Sequence, residues 1–120
     1  MKEVQELRNL REELLALPAS EWDSYNNDFE KKRTLHDKSP EHLLSVAPLA
    51  ATAFEAIESP KVLGAVKRLT GIDNLQPDFT RHYGAVHVAE RGDYLLPHVD
   101  SALQPQTGLY KRVTLLVYIS

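Results

Sequence analysis

The sequence predicts an α+β protein, with helices mainly in its N-terminal part and strands mainly in its C-terminal part. Apolar residues recur at spacings of three and four from Lys2 to Leu17, which is the period of one helix face. The pairs Ser39-Pro40 and Ser59-Pro60 each place a capping hydroxyl before a proline at the first helical position. Residues 79–89 alternate as a strand does, and residues 112–118 form a nearly continuous apolar run.

Helices account for most of residues 1–75. The helix over residues 2–17 stops at Pro18, and its modest apolar stripe favours packing on its own domain over binding a partner. Another helix is expected to begin at Pro40, and Pro48 restarts it. The helix over residues 60–69 is expected to end at Gly71, which is free to adopt positive φ, and to bury Val62, Leu63, Val66 and Leu69.

Strands are expected in two places. Residues 21–36 carry a turn at Asn26-Asn27-Asp28, which predicts a short strand on either side. Residues 79–89 predict a strand, and the turn at 90–93 predicts that this strand forms a hairpin with the next one. The run over residues 112–118 predicts a last strand covered on both faces, with Val113, Leu115 and Val117 in the core.

The stretch 92–100 holds the side chains best suited to chemistry, His98 and Asp100. In a strand, side chains two residues apart point to the same face, with Cα atoms roughly 6.6 Å apart. An imidazole and a carboxylate so placed can both reach one small cation at about 2.1 Å. They supply two of the three ligands of the 2-His-1-carboxylate triad that holds non-haem Fe(II). Tyr94 and Leu96 share the parity of His98 and are expected on the same wall.

Length and composition narrow the function classes. The 120 residues suit one domain or part of one, and a net charge of −3 argues against nucleic acid as the main partner. The run Glu30-Lys31-Lys32-Arg33 is expected to be a solvated face, since three cations are few. The chain has no cysteine, which excludes a thiolate metal site, and no apolar run that spans a bilayer. A cytoplasmic protein without a membrane partner is therefore expected.

The order of motifs after residue 90 resembles a known family. This order is similar to that of the 2-oxoglutarate/Fe(II)-dependent dioxygenases, and most to that of their prolyl 4-hydroxylase-like branch. It consists of a glycine turn, His98-x-Asp100, the loop Ser101–Gly108 and then Arg112-x-Thr114-Leu115-Leu116-x-Tyr118. An earlier segment resembles the helix end that precedes the barrel strands of many members. Its sequence is Leu69-Thr70-Gly71-Ile72-Asp73-Asn74-Leu75-Gln76-Pro77-Asp78. The likeness runs from about Leu63 to Ser120.

This resemblance implies a fold and an activity. The fold would be N-terminal helices (residues 1–75) packed on the first strands of a jelly roll, or double-stranded β-helix (residues 76–120), all within one oxygenase domain. The activity would be hydroxylation of a small-molecule or peptide substrate by O₂, with Fe(II), with 2-oxoglutarate released as succinate and CO₂, and with ascorbate as a reductant. His98 and Asp100 would be metal ligands. The pocket wall or 2-oxoglutarate site would include Tyr94, Leu96, Arg112, Thr114 and Tyr118.

Two parts of the family pattern are not in the sequence: a second histidine on a later strand and the basic residue that follows it. The chain is therefore expected to be the N-terminal part of a longer oxygenase, inactive alone and prone to self-association through an open sheet edge. Two alternatives stay open. One is a cupin-like metal protein with His82 or His87 as third ligand, and the other is a non-catalytic jelly-roll module with a vestigial site.

Overall fold

The computed structural model describes residues 2–35, 38–81 and 85–119, and this part of the chain is α+β, as predicted. Its helices are α1 (Lys2–Leu15), α2 (Pro40–Val46), α3 (Pro48–Ile57) and α4 (Pro60–Thr70), with a short 3₁₀ turn at Ala19–Glu21. Its strands are β1 (Asp23–Asn26), β2 (Glu30–Leu35), β3 (Val86–Val88) and β4 (Tyr94–Leu95). No helix in the described ranges is long and apolar enough to cross a bilayer.

The chain divides into two compact units that interleave in sequence. One, the helical unit, comprises Met1–Leu17, Ser39–Thr80 and Leu115–Ser120. The other, the sheet unit, comprises Pro18–Lys38 and Arg81–Thr114. All four strands belong to the sheet unit, and all four α-helices belong to the helical unit.

Helix boundaries in the helical unit follow the predicted capping residues. The Ser39 hydroxyl accepts a hydrogen bond from the His42 amide at 3.1 Å, and the Ser59 hydroxyl accepts one from Val62 at 3.4 Å. Gly71 ends α4 in the left-handed region with φ of 72°. Each feature satisfies backbone groups that a helix end leaves without an intrahelical partner.

The N-terminus of α3 is capped from a distance. Its own N-cap residue, Ala47, has no side chain that can accept a hydrogen bond. Glu13 of α1 does so instead: its two carboxylate oxygens accept the amides of Leu49 and Ala50, each at 3.0 Å. This contact joins α1 to α3, beside a core formed by Leu14, Leu43, Ala47, Ala50 and Ala51.

The sheet is built around β2. On one edge β1 pairs with it antiparallel, and the connecting turn is the predicted one: the Asn27 side-chain oxygen accepts from the amides of Phe29 and Glu30 at 2.8 and 3.0 Å. Lys31 lies opposite Asn26 on this edge and opposite Tyr94 of β4 on the other. The second edge of β2 therefore carries both β3 and β4.

The predicted hairpin between the strand before residue 90 and the strand after it is wrong. Both β3 and β4 pair antiparallel with β2 and not with each other. The turn at 90–93 closes on itself, since the Asp93 amide donates to the Glu90 carbonyl at 2.9 Å and the Asp93 carboxylate accepts from the Glu90 amide at 2.8 Å. With Gly92 at φ of 92°, it returns the chain to the same edge of β2.

The predicted last strand is also wrong. Residues 112–119 form neither strand nor helix, because no strand of the described chain lies beside them to complete a ladder. Val113, Leu115 and Val117, which were expected in the core, are 38%, 49% and 57% exposed. Leu69 at the end of α4 was likewise expected to be buried and is 87% exposed. Self-association through an open edge stays a prediction.

Removing the distant cap should weaken the helical unit. Glu13→Ala leaves the first amides of α3 without their acceptor, and loss of such a cap typically costs about 0.5–2 kcal/mol. Glu13→Gln keeps one acceptor and should cost less. Urea denaturation measures the free energy of unfolding of each variant, and Glu12→Ala, at an exposed neighbouring position, is the control. A loss in the Glu12 variant as large as that in Glu13→Ala would contradict the capping role.

Two leucines of the helical unit should differ sharply in how much stability the protein loses when each is replaced by alanine. Leu43 is 4% exposed, so Leu43→Ala should cost about 2–5 kcal/mol. Leu115 is half exposed, so Leu115→Ala should stay within about 0.5 kcal/mol. Thermal unfolding of the two variants compares them directly. Equal destabilisation would mean that the segment around Leu115 is packed after all.

Candidate functional site

The predicted ligands lie in an open pocket of the sheet unit, with a cavity volume of about 390 Å³. One wall is the chain that runs on from β4, and it contributes Leu96, Pro97, His98 and Asp100. The other wall comes from β2 and the residue before it. Its lining residues are Phe29, Glu30 and Lys32, with Leu95 of β4 beside them. The two walls are joined where the Leu96 amide donates to the Phe29 carbonyl at 2.9 Å.

His98 and Asp100 contact each other, but not through the strand alternation that the sequence predicted. They follow β4, which ends at Leu95, and so strand alternation does not align them. A local hydrogen bond fixes the ring instead: His98 Nδ1 lies 2.9 Å from the Leu96 carbonyl oxygen. His98 Nε2 then faces Asp100 Oδ1 at 2.9 Å.

The imidazole of His98 therefore lies between two acceptors. A neutral imidazole carries one N–H and can satisfy only one of them, whereas an imidazolium satisfies both. The Leu96 carbonyl, and after it the Asp100 carboxylate, raise the pKa of His98 above its ordinary value. A cation at Nε2 would satisfy the same arrangement, with the remaining proton on Nδ1.

Asp100 is paired on its other side with Lys111. The loop after Asp100 folds back through the isolated bridge between Leu103 and Tyr110, and the Lys111 amide donates to the Ala102 carbonyl at 2.6 Å. Lys111 Nζ consequently lies 3.4 Å from Asp100 Oδ2. Its hydrogen bond, with the weaker effect of His98, lowers the pKa of Asp100, which keeps the carboxylate ionised.

The separation of the two side chains matches that of two adjacent ligands of an octahedral metal ion, and it is also that of a direct hydrogen bond. Donors about 2.1 Å from a metal and at right angles to each other lie about 3.0 Å apart. The observed separation of His98 Nε2 and Asp100 Oδ1 is 2.9 Å. Metal-bound histidines also commonly donate their second ring N–H to a backbone carbonyl, as Nδ1 is placed to do here. Both side chains are accessible, with 47% and 61% of their surface exposed.

A third ligand does not join them within residues 2–35, 38–81 and 85–119, where no three histidine, cysteine, aspartate or glutamate side chains converge. His87 lies in β3 opposite Thr34 and is not among the residues that line the pocket. His82, the other candidate, lies outside the described residues.

The remaining predicted site residues are dispersed. Leu96 lines the pocket, and its carbonyl orients His98. The Tyr94 hydroxyl donates to the carbonyl of Asn27, in the turn between β1 and β2. Arg112 and Thr114 are exposed in the irregular segment that ends the sheet unit, and Tyr118 belongs to the helical unit and is 83% exposed.

Sequence reasoning missed three polar residues of the site. Lys111 was not expected to contact Asp100, and Glu30 and Lys32 were expected on a solvated face. The return of Lys111 depends on the loop closure between Leu103 and Tyr110, which has no distinctive sequence signal. Alternation along β2 places Glu30 and Lys32 on one face, but the pairing of β4 is needed to make that face a pocket wall.

The chain was compared with known protein families, proteins and structures. No family model matches the chain, and neither a curated protein nor a solved structure is significantly similar to it.

The environment of His98 can be measured in the metal-free protein. Because its pKa is raised, the imidazole should stay protonated to higher pH than an ordinary exposed histidine. Asp100→Asn removes one of the groups that raise this pKa, so the His98 titration should move to lower pH. Titration of the ring signals by NMR follows this change.

Asp23→Asn is the matched control for that experiment. Asp23 is an exposed carboxylate in β1, on the opposite edge of β2 from β4. It should leave the His98 titration where it is. An identical titration of His98 in wild type and Asp100→Asn would show that the two side chains do not interact in solution.

Proposed function

We propose that this chain contributes the metal site of a non-haem Fe(II)- and 2-oxoglutarate-dependent dioxygenase of the prolyl 4-hydroxylase-like branch. The observation that carries the proposal is the 2.9 Å separation of His98 Nε2 and Asp100 Oδ1, with Nδ1 held by the Leu96 carbonyl. The order of motifs around this pair supports the family. In this proposal the small antiparallel sheet is the beginning of a jelly roll.

Each residue of the pair has a defined task. Bound here, Fe(II) with 2-oxoglutarate and O₂ would supply hydroxylation of a small-molecule or peptide substrate, with release of succinate and CO₂. His98 offers Nε2 as a neutral donor, and the Leu96 carbonyl fixes the ring orientation. Asp100 offers one oxygen at Oδ1, while Lys111 holds Oδ2 and keeps the carboxylate ionised. Ascorbate fits the same chemistry as a reductant.

Two protein ligands bind a metal weakly, because the triad that leaves room for co-substrate and O₂ has three. The third would come from a side chain outside the described set, and His82 is one candidate of this chain. The proposal therefore expects little or no succinate release by the 120 residues alone. Tyr94, Arg112, Thr114 and Tyr118 stay candidates for the completed pocket.

The metal site is tested by calorimetric titration with Mn(II), a redox-silent substitute for Fe(II). His98→Ala and Asp100→Ala each remove one ligand and should weaken binding at least about tenfold, since losing even an orienting neighbour costs that much. Affinity should also fall as the pH is lowered through the raised pKa of His98, because protons compete for Nε2. His42→Ala, an exposed histidine in α2, is the control and should bind as wild type does.

The same titration separates the alternatives. Unchanged Mn(II) affinity in both site variants would sink the assignment of His98 and Asp100. No metal binding by wild type would favour a non-catalytic module with a vestigial site. Metal binding that 2-oxoglutarate does not strengthen would favour a cupin-like metal protein.

A further inference from the structure

The helical unit has a groove where the end of α3 meets the start of α4. Its cavity volume is about 590 Å³, and its lining is mainly apolar. Phe79 on its wall is 64% exposed, so much of this ring lies in water. Exposed apolar surface that is contiguous in this way commonly marks an interaction site. The apolar lining residues are Pro60, Leu63, Pro77 and Phe79, and two carboxylates, Glu55 and Glu58, complete the wall.

One side of the groove carries a carboxylate that a cation would stabilise. Glu55 lies in the last turn of α3, and this turn has no basic residue. The C-terminal end of a helix carries partial negative charge, so a carboxylate there is unfavourable and a cation is favourable. Glu55 is exposed, and its carboxylate has no hydrogen-bond or ion-pair partner among the described residues. The groove therefore favours a ligand that joins a positive charge to apolar side chains.

The chain itself carries such a combination in its irregular segment 112–119. Arg112 is exposed, and within the described part of the chain its guanidinium group has no partner. Exposure then alternates along the apolar run: Leu116 and Tyr118 are 67% and 83% exposed, whereas Val117 between them is 57% exposed. Such alternation is typical of a chain with one outward side. The outward face of this segment, formed by Arg112, Leu116 and Tyr118, thus presents one cation followed by two apolar side chains.

The segment does not fill the groove of its own copy. Residues 115–119 belong to the helical unit, but none of them lines the groove. We propose that the groove of one copy binds the outward face of a second copy, with Arg112 beside Glu55 and the apolar side chains against Phe79. A reciprocal exchange fills both grooves and gives a closed dimer. This contact does not depend on the proposed function, and it differs from pairing of an open sheet edge because side chains and not backbone groups make it.

Apolar contact supplies most of the affinity of this dimer, and the ion pair selects its orientation. An exposed ion pair contributes little free energy, whereas burial of a large apolar side chain contributes more. Tyrosine and arginine are also the residue types that most often dominate protein interfaces. Two like charges set against each other are strongly unfavourable. Charge reversal at Glu55 or Arg112 therefore tests the contact more sharply than removal of either charge.

The test is analytical ultracentrifugation of the full 120-residue chain over a range of protein concentrations. Wild type should pass from monomer to dimer as the concentration rises. Glu55→Lys and Arg112→Glu should each weaken the dimer about tenfold or more, because each sets like charges against each other. The double variant Glu55→Lys/Arg112→Glu should restore the dimer, since opposite charges meet again. Circular dichroism checks that every variant is folded.

Two matched controls accompany these variants. Glu6→Lys reverses an exposed carboxylate of α1 that does not line the groove, so it should neither weaken the dimer nor rescue Arg112→Glu. Leu115→Ala should leave the dimer intact, whereas Leu116→Ala, on the outward face, should weaken it.

A chain that stays monomeric at every concentration would overturn the inference. A dimer that both single charge reversals leave intact would also overturn it and would favour pairing of an open sheet edge. Weakening that the double variant does not reverse would do the same, because the two residues then do not face each other. None of these results depends on a metal ion, so the Mn(II) titration tests the proposed function separately.

Discussion

The antiparallel pairing of β2 is the constraint on which the sheet unit depends. β1 occupies one edge of this strand, and β3 and β4 occupy the other. Because β4 pairs with the first residues of β2, the Leu96 amide reaches the Phe29 carbonyl, and the chain beyond it runs alongside the same end of the strand. A cation on β2 and the His98–Asp100 pair thereby come to border one cavity.

Within that cavity, the hydrogen-bond donors and acceptors around His98 and Asp100 determine where a positive charge can lie. His98 has an acceptor at each ring nitrogen, and Asp100 has a cation or an N–H group at each oxygen. Such a chain of alternating donors and acceptors has one natural position for a positive charge, between Nε2 and Oδ1. A proton fills that position when the imidazole is charged, and in the proposed function a divalent ion would take the place of that proton at Nε2. Proton and metal are therefore direct competitors at this point.

In the helical unit, too, a single polar side chain satisfies two hydrogen-bonding groups. α3 begins after Ala47, which has no acceptor in its side chain, and a carboxylate from α1 takes the two amides that α3 leaves open. The negative charge also lies at the positive end of the α3 dipole. One side chain thus fixes both a helix end and the packing of two helices beside the buried alanines of α3.

Local features were readable from the sequence. Ser39, Ser59 and Gly71 act within a few residues of their own positions, and Asn27 closes its turn by bonding to its own backbone neighbours. The α+β class follows from periodicity within single segments. His98 and Asp100, in contrast, meet through a hydrogen bond to Leu96 and not through the strand alternation that the sequence suggested.

Longer-range pairing was decided only by the tertiary structure. The residues at 90–93 form a turn whether β3 and β4 face each other or both face β2, and only the edge offered by β2 selects the second arrangement. The apolar run after Arg112 has the composition of a strand, but a ladder needs a neighbour that composition cannot supply. Lys31 and Lys32 are chemically alike in sequence, and the pairing of β4 with one half of β2 is what puts one beside a cavity and leaves the other in solvent.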